Sequence, residues 1–184
     1  MNALPDRYAT DDLVPGGPGD GRSLARRLSK RYAARITGAF VVPGREGTFA
    51  PLPEDLPPEL ARALRTRGIE QLYSHQAEAW QATQAGAHVA IVTPTASGKS
   101  LCYTLPVVSA AMRDHAKALY LFPTKALAQD QVAELLELNN AGALGVRAFT
   151  FDGDTPGDAR QAIRLHGDIV VSNPDMLHQA ILPH

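Results

Sequence analysis

Thr93-Pro94-Thr95-Ala96-Ser97-Gly98-Lys99-Ser100 is the stretch on which the reading of this chain turns. It follows the apolar run Val89-Ala90-Ile91-Val92 and opens into Leu101-Cys102-Tyr103-Thr104-Leu105, an order of strand, small-residue loop and helix. Such a loop converges several backbone N–H groups on one point, and the helix dipole behind it adds positive potential, which together make a phosphate cradle. Gly98 lets the main chain approach a phosphate oxygen. Lys99 supplies a point charge for the outer phosphates, and the Ser100 hydroxyl is placed to ligate a magnesium ion. Thr93 stands where the eight-residue phosphate-loop pattern begins with glycine, so the pattern is broken at its first position. A strand-to-helix turn with an incidental Gly-Lys-Ser is the rival reading.

The 184 residues, 45% hydrophobic and 20% charged, suffice for one globular domain with a sizeable core. With a formal net charge of −1 there is no global basic field, so any contact with nucleic acid must be local. The single cysteine, Cys102, rules out a disulfide or a zinc cluster within the chain, and it is expected to pack as a small hydrophobe. That composition suits a reducing cytoplasm. Met1 to Asp20 holds no basic region followed by an apolar run, and eighteen apolar residues never occur together, so neither secretion nor membrane spanning is indicated.

Residues 1–21, with Pro5, Pro15, Gly16, Gly17, Pro18, Gly19 and Gly21, read as a disordered lead. Residues 22–57 read as a basic helix and an extended segment. In the helix, Leu24, Leu28 and Tyr32 recur at helical spacing among Arg22, Arg26, Arg27, Lys30, Arg31 and Arg35. A solvated face docked through that leucine stripe is favoured over a phosphate-binding face. Residues 58–184 carry the main domain. It starts with a short helix from Pro58 to Gly68 and continues with a helix capped by Ser74 that runs to Ala85. Apolar runs at 88–92, 118–122, 146–151 and 169–172 are predicted strands. Helices are predicted from Lys99 to Arg113, Lys125 to Leu138, Pro156 to His166 and onward from Pro174. Continuous apolar strands alternating with helices argue for an α/β fold, a parallel sheet covered by helices on both faces.

A polar cluster follows each predicted strand, at the sheet edge where ligands bind in open parallel sheets. After the phosphate loop come Pro123-Thr124-Lys125, then Asp152-Gly153-Asp154-Thr155-Pro156, then Ser172-Asn173-Pro174-Asp175. A lysine in the first turn of a helix opposes the dipole, which suggests an anionic partner. Each cluster taken singly is also consistent with an ordinary turn and cap.

Together these residues resemble the DEAD/DEAH-box ATP-dependent helicases of superfamily two. Tyr73-Ser74-His75-Gln76 resembles the glutamine motif, and Thr95-Ala96-Ser97-Gly98-Lys99-Ser100 resembles motif I, with Ala96 where many members have glycine. Phe122 to Gln131 is similar to motif Ia and Ser172 to His178 to motif Ib. The combination is most similar to the bacterial DNA-repair branch related to mitomycin repair factor A, over about residues 40–184. The resemblance implies a P-loop RecA-like domain that takes ATP and Mg2+. Gln76 and Tyr73 would read adenine, Thr95, Ala96, Ser97, Gly98, Lys99, Ser100 and Leu101 would surround the phosphates, and Lys99 would be catalytic. Thr124, Lys125, Gly153, Ser172 and Asn173 would hold one strand of nucleic acid, single-stranded DNA by analogy with the repair branch.

The resemblance also implies parts that this sequence does not carry: the Asp-Glu pair, expected on the next strand beside the phosphate-loop strand, a second RecA-like domain with its arginine, and a four-cysteine zinc region. The chain is therefore expected to be the N-terminal portion of a longer enzyme, inactive in turnover and marginal in stability when alone. Two rival readings stand beside this one. The phosphate loop also resembles that of tRNA dimethylallyltransferases, where it opens the chain, whereas here a glutamine motif precedes it. The other rival is a non-hydrolysing nucleotide- and nucleic-acid-binding module from a truncated gene.

Overall fold

In the helices and strands that follow, a computed structural model of the chain describes residues 21–36 and 46–183. Residues 1–20 of the expected disordered lead and 37–45 of the extended segment lie outside the described residues. The chain divides into two units, Met1–Glu46 and Gly47–His184.

In the first unit, helix α1 runs over Gly21–Arg31. Leu24, Leu28 and Tyr32 are all exposed within this unit. A stripe of three apolar side chains on so short a helix removes little area from water and fixes nothing by itself.

The second unit starts with β1 (Phe49–Pro51), α2 (Pro58–Thr66), β2 (Gln71–Tyr73), α3 (Ser74–Gln84) and α4 (Lys99–Asp114). It continues with β3 (Ala118–Leu121), α5 (Lys125–Gly142), β4 (Ala148–Thr150), α6 (Gly157–His166), β5 (Ile169–Ser172), α7 (Pro174–Met176) and a π-turn over Leu177–Ile181. Pro58 sits in the first turn of α2, where its missing N–H costs nothing. Thr124 caps α5 by accepting from the Leu127 N–H at 3.3 Å, and Asn173 caps α7 by accepting from the Met176 N–H at 2.9 Å. The helix after the glutamine motif starts one residue differently from expectation. Tyr73 occupies the cap position, because the Ser74 N–H is taken by Thr48 O at 2.8 Å, which ties the helix start to β1.

The sheet is parallel, in the order β3-β5-β4, with β5 central. Register pairs Tyr120 with Val171 and Val171 with Thr150. On one face Tyr120, Ala148, Ile169 and Val171 join a core that includes Leu60, Leu64, Leu72, Trp80, Leu105, Val108, Leu135 and Leu138. The other face, through Leu119, Phe151 and Val170, meets Ile163 of α6 and Ile181, around a cavity of about 270 Å³. Trp80 is buried and its Nε1–H donates to Asp55 Oδ1 at 3.0 Å.

Two differences from the sequence reading stand out. The run at 88–92, expected as the first strand, is not a strand, and Val92 is 95% exposed. Strand geometry is held by neighbours that take the N–H and C=O groups, and among the described residues β3, β4 and β5 pair only with one another. Second, β1 and β2 form an antiparallel pair, Phe49 opposite Tyr73, where no strands were expected.

Arg147 grips Asp168 at the base of β4 and β5, with Nε to Oδ2 and Nη2 to Oδ1 both at 3.0 Å, and the Arg147 N–H donates to the same carboxylate at 2.9 Å. The hydrogen bond from Arg147 holds the Asp168 carboxyl below its ordinary value. Its contribution is complete above the unfolded carboxylate pKa of about 3.9 and is lost as pH falls through the depressed folded-state pKa. Asp168→Asn should lower the urea midpoint at neutral pH, and the gap from the unmutated chain should close in strong acid. Leu60, fully buried in α2, should cost about 2–5 kcal/mol on substitution by alanine, read from urea unfolding of the two proteins.

Candidate nucleotide and nucleic-acid site

The phosphate loop leads into α4 through Gly98, whose φ of +75° is left-handed backbone that suits glycine. A Cβ on Gly98 would stand 2.6 Å from Gln76 Nε2. That approach is used: Gln76 Nε2 donates to Gly98 O at 2.8 Å, and the Leu101 N–H donates to the same carbonyl at 3.3 Å. The other end of the Gln76 amide accepts from the Tyr73 N–H at 2.9 Å. A primary amide has two N–H donors and two acceptor lone pairs, so one of each remains for a ligand edge.

These residues line a cavity of about 440 Å³ together with Phe49, Ile69, Glu70, Gln71, Tyr73 and Leu101. Tyr73 is stacked between Phe49, at a centroid distance of 4.8 Å, and His75, at 5.7 Å. Phe49 is the more exposed of the first pair. The sequence reading assigns Tyr73 to the adenine side and does not include Phe49, an isolated aromatic before a proline-rich stretch, which the structure brings onto the Tyr73 ring.

Lys99 folds back over its own loop, with Nζ donating to Thr93 O at 2.9 Å and Pro94 O at 2.6 Å. A phosphate would have to exchange with these two carbonyls, and it is the better acceptor because it is charged. Thr93 Oγ1 and Ser97 Oγ lie 2.7 Å apart, closing the loop across its mouth, while Thr95 and Ala96 are exposed at its tip. Ala96 has φ +60°, the left-handed region, at the position where the sequence comparison placed glycine in many related motifs. Ser100 Oγ donates to Glu134 Oε1 at 3.3 Å. A hydroxyl beside a carboxylate is an oxygen donor set of the kind Mg2+ takes, so Ser100 fits the expected role. Among the described residues no group of three or more His, Cys, Asp or Glu could hold a metal.

At the sheet edge the residues expected to hold nucleic acid separate into two kinds. Lys125 Nζ reaches Asp154 Oδ2 at 2.5 Å, an exposed ion pair in which the shared hydrogen bond raises the lysine pKa and lowers that of the carboxyl. Gly153 has open space around it. Thr124 Oγ1 and Asn173 Oδ1 are engaged as helix caps. Ser172 is buried and its hydroxyl donates to Phe151 O at 2.6 Å, joining β5 to the end of β4. Its side chain faces the sheet interior, so a strand at the edge would meet backbone there.

A parallel sheet with helices on both of its faces is the build shared with RecA-like helicase domains. Residues 73–184 match the DEAD/DEAH box helicase family, and the chain belongs to it. It is 52% identical over 141 residues to the uncharacterized ATP-dependent helicase YprA of Bacillus subtilis (strain 168), covering 76% of this chain and 19% of that protein. To the ATP-dependent helicase hrq1 of Schizosaccharomyces pombe it is 42% identical, covering 77% of this chain and 14% of the other. The crystal structure of the DUF1998 helicase MrfA bound to DNA and AMPPNP aligns with a TM-score of 0.74 at 52% identity, over 76% of this chain and 20% of that one. The chain thus spans a fifth or less of the length of these relatives. DEAD-box helicase Mss116 bound to ssRNA and UDP-BeF, at 19% identity and a TM-score of 0.59, shows the same fold. The family and the α/β fold expected from the motifs are borne out.

Gly98→Ala should lower thermal stability, on the order of 1–2 kcal/mol from the left-handed φ alone, and more if Gln76 is displaced. Ala96→Gly should be neutral or slightly stabilising. A thermal scan of both variants in which Gly98→Ala is the more stable would contradict this loop geometry.

Proposed function

We propose that this chain is the ATP-binding portion of an ATP-dependent nucleic-acid helicase, that it binds ATP with Mg2+ and one strand of DNA, and that it serves DNA repair in the cytoplasm. The observation that carries the reading is the hydrogen bond from Gln76 to Gly98 O, which makes one continuous surface of the aromatic pocket and the phosphate loop. Adenine would lie in the pocket beside Phe49, Tyr73 and Gln76, and the phosphates over Thr95 to Leu101. Bound Mg2+ would neutralise phosphate charge, with Ser100 its ligand from the loop. Lys99 would leave the Thr93 and Pro94 carbonyls for a phosphate oxygen and so signal occupancy to the whole loop.

Support for a DNA strand comes from MrfA, solved with DNA and AMPPNP. Contacts through Thr124, Lys125, Gly153 and the backbone at Ser172 and Asn173 would fall on sugar and phosphate, which carry little sequence information and suit a translocating enzyme. Unwinding and turnover are proposed of the longer polypeptide, including a second RecA-like domain. A binding module without turnover is the second reading, and it shares the nucleotide and strand contacts named above. Binding is therefore the activity to test on this chain.

Calorimetric titration with a non-hydrolysable ATP analogue and Mg2+ should show Lys99→Ala about 10- to 100-fold weaker, the loss of one charge-assisted contact. Gln76→Ala should narrow the preference for ATP over GTP. Unchanged affinity in folded Lys99→Ala removes the phosphate-loop assignment. Equal competition by ATP and GTP in the unmutated protein removes Gln76 as the base reader.

A further inference from the structure

A groove of about 630 Å³ lies between α6 and the π-turn, bounded by Gly157, Arg160, Gln161, Arg164, Gln179 and Ala180. None of the contacts proposed above uses it. Arg160 and Arg164 stand one turn apart on α6, with guanidinium carbons 5.5 and 5.9 Å from the ring centroid of buried Phe151. Among the described residues neither is ion-paired. Arg160 is fixed in place: Nε donates to Thr155 O at 2.9 Å, and Nη2 donates to Asp152 O at 3.1 Å and Gly153 O at 3.3 Å. Arg164 donates through Nη2 to Ala180 O at 3.0 Å, leaving most of its five N–H groups for an outside acceptor.

Two preorganised guanidinium groups with carbonyl rather than carboxylate partners form an anion site, and a planar fork fits phosphate oxygens well. Gln161 and Gln179 add amide groups that pair with sugar hydroxyls or phosphates. The choice between nucleic acid and an acidic polypeptide is made by continuity. Arg160 holds the carbonyls of Asp152 and Gly153, in the same loop whose Asp154 pairs with Lys125. The groove therefore begins where the polar sheet edge ends. We infer that the groove of Arg160 and Arg164 binds the sugar-phosphate backbone of the strand that crosses Lys125 and Gly153, with Arg164 the anion contact and Arg160 the positioning residue. This rests on the nucleic-acid reading above.

The test is fluorescence anisotropy of the full chain with labelled single-stranded DNA across a salt series. Arg164→Gln should weaken binding several-fold at low salt and reduce the slope of log affinity against log salt by about 0.7, one phosphate contact on a single strand. Arg164→Lys should keep the slope, which separates lost charge from lost folding. If Thr124→Ala/Lys125→Ala weakens binding while Arg164→Gln changes neither affinity nor slope, the groove is not on the strand's path and the nucleic-acid reading stands. If the unmutated chain binds no DNA at low salt, both are overturned. If poly-glutamate of matched charge displaces the DNA and loses its own affinity in Arg164→Gln, the groove takes acidic polypeptide and the inference fails.

Discussion

The carbonyl of Gly98 is the point through which the ligand-facing half of the domain is held together. It accepts from the side chain of Gln76 and from the backbone of Leu101, and the left-handed turn that aims it is one that glycine adopts without strain. Any side chain at that position would occupy the space of the Gln76 amide. The pocket at the start of α3 and the loop at the start of α4 are therefore tied directly to each other.

Charge is arranged differently at the sheet edge. The helix caps at Thr124 and Asn173 satisfy backbone donors within the protein, with Lys125 exposed beside them. Asp154 already sits on that lysine. An exposed pair of this kind is weak in water and screened by salt, so a polyanion can take the lysine from it at little cost.

Much of this was legible in the sequence because it depends on local rules. Gly-Lys-Ser after small residues, threonine and asparagine before helical runs, and proline at a helix start each act within a few residues, and the helices from Lys99, Lys125 and Pro156 follow them closely. The strand 169–172 was legible because three successive β-branched apolar residues, Ile169 to Val171, lead it. What local rules do not contain is pairing. The run 88–92 has strand composition but no ladder partner, and Phe49 reaches Tyr73 only through an antiparallel pairing across more than twenty residues of sequence. The same holds for the surroundings of Ser172, whose hydroxyl lies against Phe151 across the β4–β5 pairing.

Trp80 is the single tryptophan of the chain, and it lies buried on α3, one helix turn beyond Gln76, with its indole N–H on Asp55. Asp55 O in turn accepts from Arg113 at the far end of α4. The indole is therefore clamped between the helix that carries the pocket and a loop tied to the helix that carries the phosphate cradle. The protein has a built-in optical reporter: its ultraviolet emission comes from one dry, hydrogen-bonded site, and any separation of α3 from α4 would wet that site and shift the emission to the red. Separation of these two helices can thus be followed without a label.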